Sequence, residues 1–416
     1  MDWGKNTNIY EINVRQYTPE GTFKSFATHL PRLKDMGVQV LWFMPIYPIG
    51  KIKRLGSLGS YYSIQDYKAV NPEFGSLNDF RNLVRTAHQA GFRVIIDWVA
   101  NHTSWDHVWT TGYPDYFERD EHGNFKSPYD WEDVIQINHE NVQQQDAMID
   151  SMKFWLDECD IDGYRCDMAH LVPLSFWQRA RKELETHKQL FWLAETEDAR
   201  YHDVFDASYA WEFLHKMEQY WQQGTDTGGL DSVLYKYNDN FPKDALRAMF
   251  TSNHDENSHS GSEYERMGDA AKAFAVLCAT WNGIPLIYSG QELPNKKRLK
   301  FFDKDVIDWT STCELHGFYK TLLQLRAGNP ALSAGDDAVA TYRLNTSEGK
   351  IFSFLRKNQE HAVLVMLNLS GDNLSFAIKD QQVSGTYTNV FSGEKVDIDQ
   401  AGKIRLTAWD YQVLER

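Results

Sequence analysis

The chain has 416 residues, with 43 Lys+Arg against 58 Asp+Glu and a formal net charge of −15. At 42% hydrophobic and 24% charged it has a globular composition, long enough for two or three domains of about 150 residues. Global disorder is excluded, and the acidic balance argues against a nucleic-acid partner because phosphate backbones are repelled.

The first residues, MDWGKNTNIYEIN, hold no basic region followed by an apolar stretch. No signal peptide is visible, so a cytoplasmic protein is expected, with an exported chain stripped of its leader as the alternative. Apolar, β-branched runs then predict strands at Asn8–Asn13, Val38–Pro45, Arg93–Val99, Gly163–Met168, Phe191–Glu195, Ala207–Phe213, Ala245–Ser252 and Ile284–Ser289. Helical periodicity predicts Phe23–Met36, Leu77–Ala90, Gln143–Glu158, Leu174–Lys188 and Gly268–Trp281 between them. Eight strands alternating with helices predict a (β/α)8 barrel; nucleotide-binding open sheets would need a glycine-rich phosphate cradle, and none follows a strand here. Two regions break the alternation. Residues 104–138 read as an aromatic inserted subdomain, and from about Leu332 short alternating strands predict a C-terminal antiparallel β-sandwich. The expected domains are therefore 1–103 with 139–331, 104–138, and 332–416.

No run approaches the roughly 18 apolar residues of a membrane span, so no membrane partner is expected. Cys159, Cys166, Cys278 and Cys313 lack metal-ligand spacing and read as reduced thiols. Aromatic residues make up 14% of the chain. Most should fill a core, and the remainder can stack on the C–H faces of sugar rings.

Chemistry gathers at predicted strand ends, where a barrel holds its active residues. They read Asp97-Trp98-Val99-Ala100-Asn101-His102, Gly163-Tyr164-Arg165-Cys166-Asp167-Met168-Ala169-His170, Leu193-Ala194-Glu195, and Asn253-His254-Asp255. One acidic strand end is ordinary; four facing one barrel mouth point to a site. Arg165 and Asp167, two apart, share a strand face, and a guanidinium there should hold Asp167 ionised. Crowding by Asp167 and Asp255, together with desolvation, should raise the pKa of Glu195.

In order and spacing these segments resemble the alpha-amylase family, glycoside hydrolase family 13. The resemblance extends through Gly283-Ile284-Pro285, Gly290-Gln291-Glu292 and the terminal Trp409-Asp410-Tyr411. It implies a retaining hydrolase of internal α-1,4 bonds in starch-like glucans, with Asp167 as nucleophile, Glu195 as general acid/base and Asp255 as the third carboxylate. It further implies that Tyr62, His102, Arg165, His254 and His170 contact substrate, and that Asp97 is a structural partner of Arg165. An enzyme for short or cyclic maltooligosaccharides, or a transglycosylase, is the alternative within the family. A non-catalytic glucan-binding relative would be expected to lose the acid or the nucleophile, and both are present. A metal-dependent barrel hydrolase would need HxH or HExxH, and neither occurs.

Two positions depart from the family pattern. Ala169 stands where many members have a lysine on the leaving-group side. No cofactor is required for the chemistry, but the resemblance implies a structural calcium held by Asn101 and the His170 carbonyl. Gln136 stands at its usual acidic position, leaving Asp130 or Asp133 to substitute.

Overall fold

The computed structural model describes all residues except 1, 187, 225–226, 310–311 and 400–401. Eight parallel strands close into a barrel: β1 (Ile9–Ile12), β2 (Val40–Phe43), β3 (Arg93–Trp98), β4 (Gly163–Cys166), β5 (Phe191–Ala194), β6 (Ala207–Tyr209), β7 (Leu246–Met249) and β8 (Ile284–Tyr288). Each lies inside a predicted strand but stops earlier, because the polar residues at its end peel away into loops. The sixth prediction overran most. It was to reach Phe213, whereas the helix Trp211–Gln223 begins two residues after β6.

The helix expected over Phe23–Met36 is two helices, Phe23–Ala27 and Leu30–Met36. Pro31 lies in the first turn of the second; its ring would clash with the carbonyl four residues earlier in a continuous helix. Leu77–Gln89, Val142–Cys159 and Leu174–Leu184 follow the expected pattern, whereas Gly228–Asn240 and His316–Gly328 were not predicted.

Period-two alternation decides what faces the barrel axis. Val40 and Trp42, Ile95 and Asp97, Arg165, Phe191 and Leu193 share the inward faces, so an apolar floor ends in charged residues at the C-terminal mouth. Gly163 begins β4 because a Cβ there would lie 2.0 Å from the Phe191 carbonyl oxygen. Cross-strand register sets Asp97 beside Arg165, and Cys166 beside Ala194. The next residues, Asp167 and Glu195, are therefore neighbours.

In the insertion, His102–Ser104 pairs antiparallel with Val134–Gln136. The C-terminal region forms a six-stranded antiparallel sheet and a two-stranded one, Leu374–Phe376 with Ile404–Leu406. Along the strand Ala362–Asn368, Leu364 and Met366 enter that domain's own core, while Val363, Val365 and Leu367 face the barrel with Phe352 and Phe354. Burial on both faces explains why this strand is apolar throughout. Trp281 of the barrel packs on Phe354 with ring centroids 4.7 Å apart. No described helix is long and apolar enough to cross a membrane.

Candidate active site

The barrel mouth opens into a cleft of about 530 Å³ lined by Tyr62, His102, Asp167, Glu195 and Asp255. At its base Arg165, fully buried, holds three acids. Its Nη1 donates to Asp97 Oδ1 and Oδ2 at 2.9 and 3.1 Å and to Asp167 Oδ1 at 3.1 Å. Its Nη2 lies 2.8 Å from Glu195 Oε2. The carboxylates of Asp167 and Glu195 thus meet on one guanidinium. Trp42 lies beneath it, 5.0 Å from Cζ, and Tyr209 accepts from Nε at 3.2 Å.

Met168 adopts left-handed backbone, with φ of 40°, a conformation costing on the order of 1–3 kcal/mol for a non-glycine residue. That turn brings its N–H to Glu195 Oε2 at 2.9 Å. Glu195 therefore has one oxygen held by Met168 and Arg165. Asp167 has Oδ1 on Arg165, while Oδ2 is buried without a hydrogen-bond partner among the described residues.

Burial dominates the electrostatics. It pushes Asp167 up to about 7 against the pull of Arg165, with Asp97 and Asp255 adding to the rise. Glu195 is likewise pushed to about 7 by burial, opposed by Arg165 and reinforced by Asp167 and Asp255. The expected rise of Glu195 is present. Arg165 pulls Asp167 toward its ionised form, as expected, but burial outweighs that pull, and the one cation is divided among three buried acids. In His254, burial lowers the pKa, but Asp255 and Glu11 overcome it and raise the value to about 9. The protonated ring donates from Nδ1 to Glu11 and from Nε2 to the Tyr62 hydroxyl at 2.7 Å. Tyr62 in turn donates to Asp97 Oδ2 at 3.1 Å. Burial lowers His102 to about 4, leaving it neutral. Its Nδ1 accepts from the Asn101 amide at 3.2 Å, which leaves the proton on Nε2.

The chain matches the family described as alpha amylase, catalytic domain, over residues 4–136 and 120–316, and the alpha amylase C-terminal all-beta domain over residues 343–413. The chain belongs to the alpha-amylase family of glycoside hydrolases. It is 26% identical over 416 residues to an alpha-amylase of Haloarcula japonica, covering 94% of this chain but 59% of that longer relative. It is 26% identical over 440 residues to neopullulanase 2 of Thermoactinomyces vulgaris, covering 94% of this chain and 70% of the relative. An alpha-amylase structure from Lactobacillus plantarum superposes with a TM-score of 0.90 at 29% identity, over 100% of both chains. A maltogenic alpha-amylase from Thermotoga neapolitana gives 0.90 at 28%, over 99% of this chain and 98% of the other.

Within this alpha-amylase-family site, the residues nominated for calcium do not fit that ion. They supply two neutral oxygens, Asn101 Oδ1, whose Nδ2 donates to His102, and the His170 carbonyl, which accepts from the Tyr201 hydroxyl at 3.2 Å. Asp130 and Asp133, the suggested substitutes, line the main cleft instead. Among the described residues no three His, Cys, Asp or Glu side chains gather as a metal-binding group. Calcium wants six to eight oxygens, several of them carboxylate.

His170 does not line the main cleft; it is exposed on the far side of Glu195, in a neighbouring depression. The sequence reading missed Glu11, Trp42 and Tyr209 around the charged floor, and Trp131 and Phe301 in the cleft wall. Strand periodicity could have found Glu11 and Trp42. Trp131 and Phe301 carry no such signal, since both lie in irregular loops.

Proposed function

We propose that this chain is a retaining glycoside hydrolase that cleaves internal α-1,4 bonds of starch-like glucans. The observation that carries the reading is the single buried guanidinium shared by the carboxylates of Asp167 and Glu195 at the cleft floor. Retaining hydrolysis needs two carboxyl groups about 5–5.5 Å apart, and neighbouring strands about 4.8 Å apart supply that scale.

In this reading Asp167 attacks the anomeric carbon as a carboxylate while Glu195 protonates the departing glycosidic oxygen. Water then attacks the glycosyl ester, giving its proton to Glu195, and Asp167 leaves with the electron pair. Two acids each raised to about 7 and facing one cation share a proton near neutrality, which matches one base and one acid. Arg165 and Met168 keep Glu195 Oε2 occupied, so the transferable proton belongs on Oε1. Asp255 and His102 meet the sugar hydroxyls, and His254 acts on them through Tyr62. Tyr62 stacks with His254 at 5.4 Å and with Phe301 at 6.3 Å, forming a wall for a sugar face.

A second reading, action on short or cyclic maltooligosaccharides, is favoured by relatives named maltogenic alpha-amylase and cyclomaltodextrinase. Products released from amylose, pullulan, cyclodextrin and maltotriose separate the two. Internal cleavage requires long fragments early from amylose, and rapid maltotriose cleavage with amylose untouched would exclude it. Glu195→Gln should lower kcat on the preferred substrate by about 10²–10⁴-fold with the circular-dichroism spectrum unchanged; full activity would refute the acid/base assignment.

A further inference from the structure

Glu11 lies on β1, in register with Trp42 of β2 and Tyr288 of β8, and is fully buried without lining the cleft. Its Oε1 accepts from the His254 backbone N–H at 3.3 Å and from the ring Nδ1. Among the described residues Oε2 has no hydrogen-bond partner, and the carboxylate's one ion pair is with His254. A carboxylate so deeply buried is costly unless a cation accompanies it.

The His254 ring meets charge from several elements. Besides Glu11 these are Asp255 next to it in sequence, Tyr62 beyond β2, Asp97 on β3, and Arg165 and Asp167 at the end of β4. Tyr209 and Tyr288 are the other titratable groups near Glu11, and Trp42 and Phe301 face the ring without charge. Burial and Arg165 oppose the second ring proton, whereas Asp255 and Glu11 favour it. The two acids differ in setting. Asp255 is 3.4 Å from Nε2 with its side chain 38% exposed, so water screens it. Glu11 is shielded from water and substrate alike.

The Tyr62 hydroxyl stands between His254 Nε2 at 2.7 Å and Asp97 Oδ2 at 3.1 Å, with one proton to give. When both ring nitrogens are protonated, Nε2 is a donor and the hydroxyl proton goes to Asp97. When the ring is neutral with its proton on Nδ1, Nε2 accepts that proton instead. Asp97 then draws harder on Arg165 Nη1, which also serves Asp167.

We propose that Glu11 is a positioning residue for the reaction: by holding His254 doubly protonated it turns the Tyr62 proton toward Asp97 and preserves the hold of Arg165 on the Asp167 carboxylate. The inference rests on the assignment of Asp167 and Glu195 given above. Glu11 touches no reacting atom and acts through His254, Tyr62 and Asp97 in turn.

The test joins two measurements. One is the ¹⁵N spectrum of the histidine rings against pH without substrate, the His254 signals being those lost in His254→Gln. The other is the pH profile of kcat/KM on whichever of amylose, pullulan, cyclodextrin and maltotriose is cut fastest. Wild type should show both His254 nitrogens protonated at pH 7. Glu11→Gln keeps the accepting oxygen but not the charge, and should leave the ring neutral at pH 7. Its acid limb should move upward by about one pH unit, about a tenfold loss at the acid end, because Asp167 must be ionised to attack. Glu11→Asp should keep the ring charged and the limb near its wild-type place. A purely structural Glu11 would change stability and leave both readouts where they were. A neutral wild-type ring at pH 7 overturns the proposal whether or not the variants fold, as does a charged ring or an unmoved acid limb in Glu11→Gln. Wild-type enzyme that cut none of the four glucans would instead overturn the assignment of Asp167 and Glu195, and the role of Glu11 with it.

Discussion

Arg165 lies at the C-terminal mouth of the barrel among Asp97, Asp167 and Glu195, whereas Arg326 and Arg356 are buried at the opposite end among backbone carbonyls. Arg326 donates to the carbonyls of Thr7, Lys5, Ala279, Trp281 and Gly283. Arg356 donates to Trp281 at 2.9 Å and Ser333 at 2.6 Å. Carbonyls are neutral and fixed, so this second arrangement ties the strand starts of the barrel to the C-terminal domain and has no proton to move. Around Arg165 the acids outnumber the cation; burial is the main cause of their raised pKa values, their mutual repulsion adds to it, and a proton can pass between them. Burying the same side chain produces a joint in one place and a reactive centre in the other. The difference lies in whether its acceptors can themselves be charged.

The comparison is tested most strongly by removing each cation. Arg165→Gln should lower kcat/KM by about 100-fold or more and move the acidic limb of the pH profile upward, as Asp167 loses its counter-charge. Arg326→Met should instead leave five carbonyls without that donor, each unsatisfied group costing about 1–3 kcal/mol. Stability by urea unfolding should fall by several kcal/mol, while the folded fraction keeps its specific activity. The distinction collapses if Arg326→Met loses activity without losing stability.

A smaller effect separates the two arrangements by pH. Glu195 in the folded protein titrates at about 7, above its ordinary 4.5. The stability contributed by its neutral form is complete below the unfolded value and is lost as the pH rises through 7. Glutamine cannot ionise, so Glu195→Gln should melt a few degrees above wild type at pH 8 and by less at pH 5. Equal gains at both pH values would show that Glu195 does not carry a raised pKa. The smallest expected effect is none: a chelator should leave melting temperature and activity unchanged, because Asn101 and the His170 carbonyl bring only neutral oxygens and no group of three acidic or imidazole side chains gathers to hold a metal among the described residues.

Strand ends were legible because two simple rules act together there. Apolar alternation marks each strand, and the first carboxylates beyond it fall at the barrel mouth. Asp97, Arg165, Asp167 and Glu195 were therefore nominated from sequence and are neighbours in space. The rise of the Asp167 pKa was not legible from its sequence neighbour Arg165, because burial outweighs that one cation, and Asp97 and Glu195 draw on the same charge from other strands. His170 was nominated for its place in a motif, yet the short helical turn Ala169–Leu171 carries it past Glu195 into the neighbouring depression.

The sequence by itself determined the barrel, the strands that carry acids and the residue types at their ends, since these depend on local periodicity and short spacings. Only the tertiary structure decided that Trp131, Phe301 and Trp211 border the two cavities, because they are brought together from loops and a helix start far apart in the chain. It also decided how one guanidinium is shared among acids on three strands. Both outcomes depend on barrel closure, a long-range constraint that no local pattern of residues expresses.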